Sequence, residues 1–309
     1  MLRLLTDSMC DMPLDLQTHP NMDMVSLNVV LEDGTSLKDK TEITIDEINE
    51  MLKEGIMPTT SQVLPEDFRN YFTEQAKAGN DVLYLSFTSK LSGTYELGRM
   101  ILKEVKEEYP DFNCVIVDSL QSGGPIGLVA AQLLKLIDHG ATLDELEKAA
   151  YAFRPHVHFL FTMQNLKWLS RGGRIGRAAA YVGDLLKIRP VIDVDEGVLK
   201  VIGKVRGDKK ALSIIQGRLE ELLSDYRDQK VGIAIVDEET CRPLTNRMEA
   251  IARSEGISKF EEAQIGTVLA AHLGVTGTGI YFWDRDPNQI IRESGITCGG
   301  EIPDFAQCK

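Results

Sequence analysis

The amino-acid sequence predicts an α/β protein of two α/β domains. Through the first half, short apolar runs alternate with helical patterns: residues 2–5, 24–31, 82–87 and 115–117 read as strands, residues 65–78, 92–108, 125–138 and 143–153 as helices. That βαβα rhythm predicts an N-terminal, mostly parallel sheet with flanking helices. The second half adds a reversal at Asp195-Glu196-Gly197 between two apolar segments, which predicts an antiparallel pair and hence a C-terminal mixed sheet with helices. With 309 residues the chain is long enough for both. We place an N-terminal domain over residues 1–155 and a C-terminal domain over residues 156–309.

Each element has a local reason. Pro65 suits a first helical turn, where a missing N–H leaves no bond unmade. Three of the four strand-like runs in the first half are rich in Val or Ile, which suit a pleated, half-buried surface. Beyond residue 155, residues 156–163 and 185–194 read as strands, and residues 198–205 return beside the latter. Residues 209–225 carry a strong helical pattern, 230–236 a strand and 241–255 a helix. Residues 260–265 are extended and 279–283 form a last strand. No repeat or low-complexity linker interrupts the series.

Composition narrows the function classes. Hydrophobic residues make up 43% and charged residues 26%, the ordinary balance of a globular protein with a core. The net charge of -13 disfavours phosphate backbones and anionic lipid surfaces as partners, so no nucleic acid and no stable membrane insertion are expected. No stretch approaches the roughly 20 apolar residues of a membrane helix. The five cysteines are scattered and odd in number, which suits reduced thiols and a cytoplasmic location.

Several short segments stand in a telling order. They are Thr6-Asp7-Ser8 with Asp11 and Pro13, Pro58-Thr59-Thr60-Ser61-Gln62, and Ser89-Lys90-Leu91-Ser92-Gly93-Thr94-Tyr95. Val117-Asp118-Ser119, Leu169-Ser170-Arg171-Gly172-Gly173-Arg174-Ile175, Lys204-Val205-Arg206 and His272-Leu273-Gly274 follow. In this order the chain resembles the DegV family over nearly its whole length. It departs from the family in having Val63 after Thr-Ser-Gln, where Pro is frequent, and Gly274-Val275-Thr276-Gly277 in place of Gly-Pro-Gly. The resemblance implies a long-chain fatty acid held between the two domains, its carboxylate at polar residues of the Thr-Ser-Gln, Ser-Gly-Thr, Arg-Gly-Gly-Arg and His segments. It also implies a partner: a fatty acid kinase, to which the bound acid is presented for acyl-phosphate formation in phospholipid synthesis. No cofactor and no metal are implied; the fatty acid is the ligand.

The residues themselves suit that chemistry. A carboxylate leaving water needs its oxygens satisfied, because an unpaired buried charge costs several kcal/mol. Thr60, Ser61 and Ser92 offer hydroxyls, and Ser92 stands where a helix is expected to start, with Gly93 allowing a tight turn. Their ordinary roles would be a helix cap and a polar turn. Arg171, Arg174 and Arg177 form a compact basic stretch among glycines, with Arg171 the first candidate at the headgroup. His272, before a glycine-rich loop, could bond a carboxylate, more strongly if charged, or simply end a helix. Residues 178–188 and 160–169 are candidate walls for the acyl tail. His156 and His158 would share one face of a strand, with no acidic residue or cysteine near them in sequence, and are read as structural.

Two other functions would each leave a signature. A hydrolase or acyl transferase could use Ser92 with His272 as base, but no GxSxG elbow is present. A nucleotide or sugar-phosphate binder would need a phosphate loop, and neither GxxxxGK[ST] nor a GxGxxG after a strand occurs.

Overall fold

In the computed structural model, β1 (Leu2–Asp7) is followed by a one-turn helix α1 (Leu14–Gln17) and by β2 (Met22–Val25) beside it. The structure describes residues 1–164, 166–174, 188–223, 226–298 and 303. Next come β3 (Asn28–Val30), β4 (Ser36–Lys38), α2 (Ile45–Lys53), β5 (Thr59–Ser61), α3 (Pro65–Ala78) and β6 (Asp81–Ser86). α4 (Thr94–Glu108), β7 (Cys114–Asp118), α5 (Gly124–Asp138) and α6 (Leu143–Phe153) complete the first half. Its main sheet has the order β2-β1-β6-β7, with every pair parallel.

The helices of this half are bounded much as the sequence predicts. α3 starts on Pro65, carries Glu66 and Asp67 in its first turn, and stops at Gly79, whose φ of 67° is left-handed. Its Phe68 and Phe72 stack at 5.6 Å, and Phe68 meets Tyr84 of β6 at 5.4 Å. α6 opens with a capping box between Thr142 and Glu145.

Three findings differ from expectation. Residues 24–31 read as one strand but form the end of β2 and then β3, which belong to different sheets. β3 anchors a small antiparallel sheet, order β4-β3-β5, that carries Thr60. The helix expected from residue 92 starts at Thr94, with Gly93 as its N-cap. Helix α2 was not expected, although its capping box, Thr44 with Glu47, is written in the sequence.

The second half begins with a 3-10 turn over Arg154–His156, then β8 (Val157–Thr162), α7 (Lys167–Arg171), β9 (Arg189–Asp195) and β10 (Val198–Val205). α8 (Asp208–Leu222), β11 (Lys230–Ile235), α9 (Glu238–Ser254), β12 (Lys259–Gln264), α10 (Thr267–Leu273), β13 (Thr278–Trp283) and α11 (Pro287–Glu293) follow. The mixed sheet has the order β10-β9-β8-β13-β11-β12, antiparallel except for β11 with β12. β9 and β10 form the expected hairpin, with Glu196 and Gly197 at positive φ in its turn.

Alternation along the strands sorts side chains between two cores. Phe159 and Phe161 of β8 and Tyr281 and Trp283 of β13 face a core shared with the first half. Leu160, Ile280 and Phe282 face the opposite way, against α8 and α9. The inner face therefore meets the N-terminal half, and the site lies along that seam.

Candidate ligand cleft between the two halves

A narrow cleft runs along the seam, with about 580 Å³ of space when its open mouth is included. Met9, Leu27, Phe87 and Leu91 line it from the first half. Phe159, Phe161, Leu169, Leu199, Val268, Leu269 and Leu273 line it from the second. Most of these are buried. Thr60, Ser61, Gln62, Ser92, Arg174 and His272 form the polar end of the cleft, and one further polar residue, the buried Ser122, also lines it. Thr60, Ser61, Ser92 and Arg174 are half-buried and Gln62 is exposed, so the polar end is the one that meets solvent.

The walls are set by a fully buried carboxylate. Asp7, at the end of β1, accepts from Tyr84 OH and the Phe87 N–H, both at 2.8 Å, and from the Met9 N–H at 3.1 Å. These bonds fix Met9 and Phe87 as neighbours. Burial raises Asp7 to about 6, against the pull of those three donors. Ser8 accepts from the Leu27 N–H at 3.0 Å and holds a third wall residue.

The centre of the polar end is a pair. His272 Nε2 and Thr60 Oγ1 lie 2.8 Å apart, joining residues 212 apart in sequence. His272 sits in the last turn of α10 and is 8% exposed. Burial, and then the nearby Arg174 charge, push its pKa down to about 4. Burial thus favours the neutral imidazole. Its Nδ1 is buried and has no hydrogen-bond partner among the described residues. Gly172 packs against that nitrogen so closely that a methyl group there would overlap the ring.

Ser92 does not cap α4. Its Oγ accepts from the Thr94 N–H at 3.2 Å and lies 2.9 Å from Thr94 Oγ1, a turn ahead of the helix, while its side chain lines the cleft. Gly93 is a spacer rather than part of the lining: Gln62 Oε1 occupies the room a side chain would need.

The arginines divide. Arg174 lines the cleft and is fixed by bonds from Nη1 to Gly172 O at 2.6 Å and from Nε to Leu91 O at 3.3 Å. Arg171 is exposed, with Nη1 3.0 Å from Met57 Sδ, and does not line the cleft. The sequence reading put Arg171 first, whereas Arg174 is the one that lines the cleft; the side of a glycine turn on which a guanidinium emerges has no periodic signal. Arg177 and Ile175 lie outside the described residues, as does nearly all of the proposed wall 178–188; the other proposed wall supplies Phe161 and Leu169.

Sequence reasoning did not name Phe159, Ser122 or the N-terminal wall residues Met9, Leu27 and Phe87, and it named Gln62 only within the Thr-Ser-Gln segment. Phe159 was within reach, since it alternates with Phe161 on one strand. His156 and His158 both bond Asp284, at 2.9 Å each, so their acidic partner comes from the loop after β13. Among the described residues no group of three or more His, Cys, Asp or Glu is placed to hold a metal ion. No helix among them is long and apolar enough to cross a membrane.

The chain is thus a two-domain α/β protein whose cleft combines apolar walls with hydroxyls, a fixed arginine and an imidazole, a lining that can accept an amphiphile with a small polar head. The family model described as "Uncharacterised protein, DegV family" matches residues 1–285, and the chain belongs to the DegV family. A DegV domain-containing protein of Caldanaerobacter subterraneus subsp. tengcongensis is 31% identical, covering 91% of this chain and 98% of its own. A structure of a DegV family protein from Thermus thermophilus, described for its fatty acid binding, is 30% identical at a TM-score of 0.80, covering 91% of this chain and 99% of that one. A Thermotoga maritima protein whose structure is said to reveal fatty acid binding function is 30% identical at a TM-score of 0.74, covering 91% and 98%.

Proposed function

We propose that this protein binds a long-chain fatty acid, with its tail in the apolar cleft and its carboxylate at Thr60 and Ser92, and with His272 orienting Thr60 from behind. The observation that carries the reading is the division of one cleft into a polar, solvent-facing end and an apolar, buried remainder. If His272 Nε2–H donates to Thr60 Oγ1, the threonine hydroxyl keeps its own hydrogen for the ligand. Ser92 has the same freedom when Thr94 supplies the hydrogen between them. Arg174 adds positive charge, and Ser61 and Gly93 shape the turns around the head. Each buried methylene contributes roughly 0.8 kcal/mol, so the tail supplies most of the affinity and the head sets orientation.

An exposed carboxyl end suits delivery to a second protein, and the family resemblance names that partner as a fatty acid kinase acting in the cytoplasm. Arg171, exposed beside the polar end, is a residue for that encounter rather than for the bound head. A Ser92–His272 hydrolase is disfavoured. The His272 Nε2 is engaged by Thr60, and a pKa of about 4 makes the imidazole a weak base.

Native mass spectrometry of protein purified without added lipid tests the reading, followed by denaturation and solvent extraction. A fatty-acid mass present in the native protein and released on denaturation is the expected result. Protein that is empty and takes up neither palmitate nor oleate would overturn it.

A further inference from the structure

Helix α10 carries His272 at its end, but its start has no cap of its own. The N-cap is Gly266, which offers no side chain to the first N–H groups. The caps come from the other half of the molecule. Asp11 Oδ1 accepts from the Gly266 N–H at 3.0 Å. Asp39 Oδ1 accepts from the Thr267 N–H at 3.1 Å and from the Thr267 hydroxyl at 2.6 Å. Both carboxylates are buried, Asp11 at 3% exposure and Asp39 at 0%.

The cluster is held from below as well. Lys40 Nζ stands 3.6 Å from Asp11 Oδ1 and donates to Cys10 O at 2.8 Å. To reach there, Lys40 adopts a φ of 65°, a conformation that non-glycine residues seldom take. The Asp39 N–H bonds Leu27 O at 2.9 Å, so the same residue touches a cleft wall. One oxygen of each carboxylate, Asp11 Oδ2 and Asp39 Oδ2, is buried without a partner among the described residues. Two buried carboxylates beside one lysine are a poor choice for stability alone, since each removes a charge from water. Their bonded oxygens meet at one place, the start of α10.

From Thr267 to His272 is about 7.5 Å along a rigid helix, so fixing the first residue fixes the last. We propose that Asp39, assisted by Asp11 and Lys40, is a positioning residue for carboxylate recognition: it clamps the start of α10 to the N-terminal half and so sets where His272 holds Thr60 under the ligand head. The proposal rests on the reading of the cleft as a fatty-acid site. It makes Asp39 responsible for head selectivity without touching the ligand.

The test compares oleate with oleyl alcohol, which share a tail and differ in the head. Dissociation constants for both are measured with the wild type, Asp39→Ala, Asp39→Asn, His272→Ala and the Asp39→Ala/His272→Ala pair. Asp39→Ala is expected to lower the preference for oleate about tenfold, the size of one lost hydrogen bond to a charged group. Asp39→Asn keeps an acceptor oxygen and restores most of the preference. In the His272→Ala background, Asp39→Ala changes the preference no further. Thr267→Val removes only the hydroxyl, lowers the preference about threefold, and decides the question if Asp39→Ala fails to fold. Equal weakening of both lipids by these variants, or a His272→Ala preference equal to the wild type, overturns the proposal. A wild type that binds neither lipid overturns instead the fatty-acid reading beneath it.

Discussion

Replacing His272 by Gln should change how the stability of the lipid-free protein depends on pH. The folded protein holds the imidazole neutral down to about pH 4, whereas the unfolded chain takes up a proton near pH 6.5. Above pH 6.5 neither state binds that proton, and the residue has no pH-dependent effect. Between pH 6.5 and 4 only the unfolded state binds it, so stability falls as pH falls. The slope is about 1.4 kcal/mol per pH unit, or about 2 kcal/mol by pH 5 and about 3 kcal/mol by pH 4. Asp7 and Asp11 act in the opposite sense, because burial holds both at about 6 and the folded state gains their protons first. They are present in both proteins and cancel in the comparison. Urea denaturation of wild type and His272→Gln at pH 7.5 and 5 measures the difference. The wild type should lose about 2 kcal/mol relative to the variant across that interval. A difference that is the same at both pH values would refute the buried, neutral imidazole, and with it the account of the polar end.

Two further outcomes follow from local geometry. Gly172→Ala places a methyl group on His272 Nδ1, so calorimetric titration should show oleate affinity falling at least tenfold, and thermal melting a loss of about 1–3 kcal/mol from overpacking. Thr44→Ala removes the hydroxyl that accepts from the Glu47 N–H at the start of α2, and should lower stability by about 1 kcal/mol in urea melts while leaving lipid affinity within twofold.

Elements were legible where local chemistry and burial agree. α3 has proline at its start, acids in its first turn and glycine after its last, and both ends fall where the sequence places them. The β9–β10 hairpin was readable from one turn. Residues 24–31 misled because an apolar run carries no mark of the bend at which the chain leaves one sheet for another. In the candidate site, the hydroxyls and the imidazole were named from short motifs and lie together in the cleft, whereas the place of Arg174 and the contacts of Asp11 and Asp39 with α10 needed the tertiary fold. Asp39 and Thr267 are 228 residues apart, and no local pattern links an aspartate in one half to a bare helix start in the other.

The pairing of Thr60 with His272 also has a consequence in time. During synthesis at about 5–20 residues per second, on the order of 10–40 s pass between the emergence of these two side chains. The 211 residues between them include two of the four strands of the first sheet and five of the six of the second. A nascent chain therefore presents greasy walls well before it owns a clasp for the acid. On the fatty-acid reading, lipid captured earlier than residue 272 would meet Thr60 and Ser92 without the imidazole that orients the former, and the arrival of α10 completes the polar end.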